Sequence, residues 1–338
     1  MMAPTVLPSA RTDRRPKRIG IGPLMTGLGL ATMAAILAGR QFRQATPPRP
    51  HPPGSPRAHP DTAAEEARRR ALRRSRDGAA ILSFSVLADS GMEHYRGGYY
   101  HKTMYAAPAT AAVSIAANLA EPGRRSGGGG ALSAVHLASA AVGLVGLRYH
   151  LHNLRSRDGG LSWNNLFYGA PLGAPGALVT AGLIGAVSHA MARADHDAPA
   201  ALSRRHGRQL AALSTVALMG ETAEVALLHF RGAFHNPAMF LPVTVPPLAA
   251  AGLAYHAWRP DPAHRPALRR VLQAVNALGL VGTGFHVLGV ARNMGGWRNW
   301  SQTALQGPPV PAPISFTGLG LTGLAALDLL NVDEETPR

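Results

Sequence analysis

Four histidines stand out by position: His94, His150, His229 and His286. His94 and His229 open near-copies of one element, "HYRGGYYHKTM" and "HFRGAFHNPAM". His150 and His286 close a second pair, "AVGLVGLRYH" and "ALGLVGTGFH", separated by almost the same interval. An ionisable group at the end of an apolar run is costly to keep in a membrane and usually faces a bundle interior, a cavity or a cofactor. Neutral imidazoles in pairs suit haem b or a non-haem metal ion. The alternative is that each ring hydrogen-bonds between helices or lies among lipid headgroups.

The neighbours of these histidines extend the same two readings. Gly143 and Gly146 precede His150 by seven and four residues, as Gly279 and Gly282 precede His286, so on a helix they share its face. Such a smooth strip would let a flat macrocycle lie beside an axial imidazole, or would let two membrane helices pack closely. Asp89 and Glu224 stand five residues before His94 and His229, and Glu93 and Glu221 add a carboxylate to each half. Asp89 and Glu224 with the four histidines are the candidate metal donors, or a proton relay. A spacing of five turns the acid roughly 140° away from the histidine, which equally suits an ion pair with Arg96 or Arg231. Those arginines could hold an anion such as a haem propionate, a lipid phosphate or a carboxylate substrate, or extend to headgroups. Met104 and Met239 are soft copper donors or plain packing.

These residues need elements to hold them, and composition says which kind. Of 338 residues, 46% are hydrophobic and 15% charged, where a soluble domain averages about 25% charged. Mean hydropathy is +0.01, because polarity is gathered into a few blocks, chiefly an Arg- and Pro-rich stretch between Gly39 and Gly78. Beyond it run apolar segments of about 20 residues, the length of a membrane span. We expect an all-α, polytopic membrane bundle of eight helices near residues 79–96, 104–120, 131–153, 166–190, 209–229, 239–258, 268–291 and 313–330.

The interval between matched residues stays nearly constant from Asp89 to Pro175 in the first half and from Glu224 to Pro313 in the second. That indicates two tandem four-helix repeats, residues 78–200 and 201–331. An even helix number makes them parallel repeats. The formal charge of +16 falls mainly between the apolar runs. This places the Arg-rich loops in the cytoplasm and argues against nucleic-acid binding. Both ends of the unit, including the C-terminus, are then cytoplasmic, and all four histidines lie at the outer face of what we expect to be a bacterial inner membrane.

Within the N-terminal region, residues 1–77, the apolar stretch 20–39 reads as a ninth span, a signal anchor, a twin-arginine-like leader or a sign of a later start codon. Residues 40–75 read as a disordered linker, and 332–338 as a short tail. The halves also differ: His101 matches Asn236, Tyr100 matches His235, His136 matches Leu272 and His152 matches Leu288.

The absence of cysteine excludes disulfides, thiolate metal sites and cysteine nucleophiles. No P-loop, Gly-x-Ser-x-Gly elbow, His-Glu-x-x-His or dinucleotide fingerprint occurs. Three functions therefore compete. The first is a redox protein exchanging electrons with quinol or a periplasmic partner through a histidine-bound haem b or metal. The second is a small-molecule or ion transporter. The third is a non-catalytic subunit that docks an outer partner through Gly-Gly-Trp loops containing Trp163, Trp297 and Trp300.

Overall fold

The computed structural model describes residues 60–120, 129–194 and 200–331. The apolar stretch 20–39, most of the expected linker and the tail lie outside them. Eight long helices are numbered in chain order: α1 Pro60–Arg96, α2 Ala106–Leu119, α3 Gly129–Arg155, α4 Gly173–Arg193, α5 Ala200–Arg231, α6 Leu241–Trp258, α7 Arg265–Arg292 and α8 Ile314–Leu330. Among the described residues every regular element is a helix, so the all-α expectation holds.

Five stretches are long and apolar enough to cross a membrane, the pattern of a multi-pass membrane protein: Gly130–Arg155, Gly173–Arg193, Leu202–Arg231, Pro237–Trp258 and Arg265–Arg292. The other three long helices fall short by composition or length. α1 carries Asp89 and Glu93 in its apolar half. α2 has 14 residues and α8 has 17, which at about 1.5 Å per residue fall below the hydrocarbon thickness of about 30 Å. α8 has no lipid to face, because every residue from Ile314 to Leu330 is buried inside the bundle.

Two expected boundaries are corrected. Helix α1 begins at Pro60, so residues 60–75 are not linker, and a division at 78 would cut a continuous helix. The reason is local: "AEEARRRALRR" consists of good helix formers, and Glu65–Arg69 (2.8 Å) and Glu66–Arg70 (3.0 Å) pair one turn apart. Ala67 and Ala71 are buried along this extension. The fourth helix starts at Gly173, since residue 166 falls in a separate short helix, Trp163–Tyr168, that ends at Gly169.

Helices α1 to α4 pack in a ring, each against the next and α4 against α1, and α5 to α8 repeat that arrangement. Between the two groups α1 packs on α8 and α4 on α5. The centre is therefore a ring of α1, α4, α5 and α8, built around Leu82, Ile184, Leu210, Leu218, Phe316 and Leu319. The peripheral helices expose Val113, Leu144, Leu248 and Val281, apolar side chains suited to lipid. The four histidines share one end of the bundle, the histidine end; the opposite end is rich in arginine.

Candidate functional site

The first motif is a helix stop. After Arg96 the amide of Gly97 donates to the Glu93 carbonyl (3.0 Å) and that of Tyr99 to the His94 carbonyl (2.9 Å), with φ of 74° at Gly98 and 46° at Tyr99. The second copy does the same: Gly232 donates to Leu228 (3.1 Å) and Phe234 to His229 (3.0 Å), with φ of 57° at Ala233 and 45° at Phe234. Left-handed backbone closes many helices, but aromatic residues rarely adopt it. Here each aromatic ring is held by stacking, Tyr99 on Tyr105 at 4.2 Å and Phe234 on Phe240 at 4.6 Å.

The histidine clasps the turn. His94 Nδ1–H donates to the Met104 carbonyl (2.5 Å), and His229 Nδ1–H to that of Met239 (2.8 Å). The methionine side chains face the motif glycines, with Met104 Cε 3.4 Å from where a Cβ on Gly97 would lie and Met239 Cε 3.3 Å from the same point on Gly232. That is packing. The His101/Asn236 difference is conservative, because both side chains cap the next 3-10 turn.

His150 and His286 are anchored in parallel fashion. His150 Nδ1–H donates to the Pro171 carbonyl, and His286 Nδ1–H to that of Pro309 (2.7 Å). Both carbonyls lie in the chain entering α4 or α8. The glycine strip meets the same entry. A Cβ on Gly143 would lie 2.6 Å from the Val179 nitrogen, and one on Gly279 would lie 2.5 Å from the Thr317 nitrogen. At Gly146 it would meet Pro175 Cβ at 3.5 Å, and at Gly282 Pro313 Cβ at 3.0 Å. Close helix packing therefore accounts for the strip, so the glycines offer no seat to a macrocycle, and a ring held by the histidines would have to lie off the strip. We expect Gly143→Ala to lower unfolding stability by about 1–3 kcal/mol, since the obstructing atoms are backbone, and Gly146→Ala to be nearly neutral. Thermal unfolding in detergent distinguishes them; equal effects would contradict this packing.

Each four-helix group thus holds one histidine pair on opposite corners of its ring. His94 and His150 are close enough to interact electrostatically, as are His229 and His286. All four rings are half-buried, and among the described residues none has a hydrogen bond at Nε2. A backbone acceptor at Nδ1 fixes the tautomer and leaves the Nε2 lone pair available. Among the described residues no three or more His, Asp or Glu side chains come together as a metal-holding group.

The acids gather elsewhere. Asp89 on α1 lies within electrostatic range of Glu93 and Glu224, and Glu221 within range of Glu224 and Asp89. α1 and α5 are opposite corners of the central ring, so these carboxylates face one another between the two groups of four helices. Glu224 accepts from the Gly173 amide at the start of α4, and Glu221 accepts from Ser315 Oγ (3.1 Å) at the start of α8. Helix starts favour negative charge.

Arg96 and Arg231 tie the groups together. Arg96 pairs with Glu93 and donates to the Leu305 carbonyl (3.4 Å) in the second group. Arg231 donates to the Phe167 carbonyl (2.8 Å) in the first and lies over the Tyr168 ring at 5.7 Å. Ser315, Gly173 and these two carbonyl acceptors had no sequence signal, since each depends on which helices meet.

At the arginine end the match between halves breaks down informatively. Gly185 makes a notch for His136, with its added Cβ 2.3 Å from Nδ1, and Gly323 makes the same notch for Leu272, 2.5 Å from Cδ2. His136 and His189 are 3% and 7% exposed, their rings 6.3 Å apart, and His136 Nδ1 has no hydrogen-bond partner among the described residues. Leucine fills this space at no polar cost. We expect His136→Leu to raise unfolding stability by about 1–2 kcal/mol by removing the unpaired group, as measured by thermal or denaturant unfolding in detergent.

Compared with protein-family models, curated proteins and solved structures, the chain matches none.

Proposed function

We propose that the chain is an eight-span integral membrane protein of two tandem, parallel four-helix repeats, in which the acid-bearing α1 and the shorter α2 and α8 complete the crossing beside the five longer apolar helices, each repeat with a haem b site at its histidine pair. In this reading the Arg-rich end lies in the cytoplasm and the histidine end faces outward from a bacterial inner membrane, following the distribution of arginine. The matched turns, clasps and ring packing of the two groups favour duplication, and an even helix count per repeat makes the repeats parallel.

One observation carries the cofactor class. Each site presents two imidazoles, and no third His, Asp or Glu side chain joins them among the described residues. A zinc ion typically takes three or four protein ligands, whereas haem iron already has four porphyrin nitrogens and needs only axial donors. His94 with His150, and His229 with His286, would supply those donors through Nε2, each oriented by its Nδ1 hydrogen bond to a backbone carbonyl. Bound haem supplies one-electron redox chemistry. Both pairs lie at the same end, which suits lateral exchange with quinol or a periplasmic redox partner rather than transfer across the membrane. A reduced-minus-oxidised visible spectrum of the purified chain, from cells supplied with haem precursor, tests this. Paired b-type bands are expected; a featureless spectrum at high purity overturns the haem assignment.

A second reading rests on a different observation. Asp89, Glu221 and Glu224 converge between the repeats beside two helix starts, an arrangement suited to a proton- or cation-coupled transporter. Substrate-dependent flux in liposomes, lost in Glu221→Gln, would favour it.

A further inference from the structure

At the arginine end, where α1, α4, α5 and α8 come together, there is a cavity of about 130 Å³. An ordered water needs only about 10–15 Å³ by that measure. Its wall carries Arg68 and Arg69 from α1 and Ser203 and His206 from α5, with Met191 and Leu329 supplying apolar surface. Ser203 and His206 are 5% and 9% exposed, and neither makes a hydrogen bond within the described residues. Their polar atoms are not sealed from solvent, so both donors are open to a ligand that accepts from them. Arg205, next to His206, adds to the positive field. The acid in the wall, Glu65, already pairs with Arg69 (2.8 Å).

We propose that this cavity is a phosphate-binding site, filled by the headgroup phosphate of an anionic lipid or by free phosphate. Ser203 and His206 donate from α5, and Arg68 on α1 contributes positive charge. Phosphate is favoured over carboxylate because its tetrahedral oxygens, two free and two bridging in a lipid diester and four in free phosphate, can meet donors arriving from two helices, whereas a planar carboxylate offers only two oxygens in one plane. Basic pockets between spans commonly hold lipid headgroups in this way. The apolar Met191 and Leu329 suit the glycerol end of a lipid. The site lies at the opposite end from the histidine pairs and stands independently of the haem reading.

The test uses the full chain in nanodiscs and in detergent. One arm compares phosphatidylglycerol with phosphatidylcholine by counting lipids retained in native mass spectrometry. The other follows thermal unfolding with increasing inorganic phosphate. Ser203→Ala, His206→Leu and Arg68→Gln are each expected to weaken binding about tenfold, the worth of one charge-assisted hydrogen bond. Preferential retention of phosphatidylglycerol that falls in all three variants identifies a lipid headgroup. Stabilisation by inorganic phosphate that falls in the same variants identifies free phosphate. No binding of either probe, or binding unchanged by the variants, overturns the proposal. Ser203→Ala removes a single oxygen, so it keeps the test decisive if Arg68→Gln fails to fold.

Discussion

Asparagine at His150 and His286 together is expected to abolish the b-type absorbance that the proposed haem sites would give the purified protein, while leaving it folded. The choice of asparagine separates the two roles of each ring. Its side-chain amide can still donate to the carbonyl that Nδ1 serves, at Pro171 or Pro309, but offers nothing at the position of Nε2. Alanine at the same positions should also lose the bands, and should leave a carbonyl without its donor, costing about 1 kcal/mol of stability at each site. His150→Asn alone should lose about half of the signal, because the His229 and His286 pair is untouched and the sites are separate. His94→Asn should give the same half, for the same reason, from the other side of its pair. Retention of the full spectrum in the double asparagine variant, with the fold intact by circular dichroism, would show that these imidazoles are clasps and not ligands.

Much of this architecture is legible in the sequence. Apolar runs located the helices, and the near-constant interval between the two copies predicted that whatever His94 does His229 also does, down to the carbonyl each bonds. The spacing of five between acid and histidine also indicated that Asp89 and Glu224 turn away from the histidines, and they meet other carboxylates instead. What could not be read depended on neighbours distant in sequence. A glycine strip states that one face is smooth without stating what lies against it, and here it is the start of the following helix. Arg96 and Arg231 suggested an anion because their acceptors, the carbonyls of Leu305 and Phe167, are 209 and 64 residues away. Proline and arginine between residues 40 and 75 suggested disorder, and that composition hid a helix start whose stability comes from glutamate–arginine pairs and two buried alanines.

Asp328→Asn is expected to be among the most damaging single changes in the chain, costing about 2–4 kcal/mol of unfolding free energy. Asp328 is the lone acid in α8, and its side chain is 3% exposed. It accepts from Arg74 on α1 and from Arg269 on α7 (2.9 Å), so one carboxylate joins three helices at the arginine end. Breaking a buried pair by removing one partner typically costs about 3–5 kcal/mol, because the remaining charge is left uncompensated. The lower figure expected at Asp328 allows for the arginines, whose side chains are 20% and 30% exposed and retain some solvent. The same physics predicts the rescue. Replacing all three together, as Arg74→Met, Asp328→Leu and Arg269→Met, removes every charge at once and should recover most of the lost stability. Thermal unfolding in detergent measures both. Because Arg74 lies in the part of α1 that extends beyond the apolar run, amide exchange in residues 64–76 should rise in Asp328→Asn and return in the triple variant. A triple variant no more stable than Asp328→Asn would mean that the arginines hold this end through contacts of their own, and that the carboxylate is incidental to the junction.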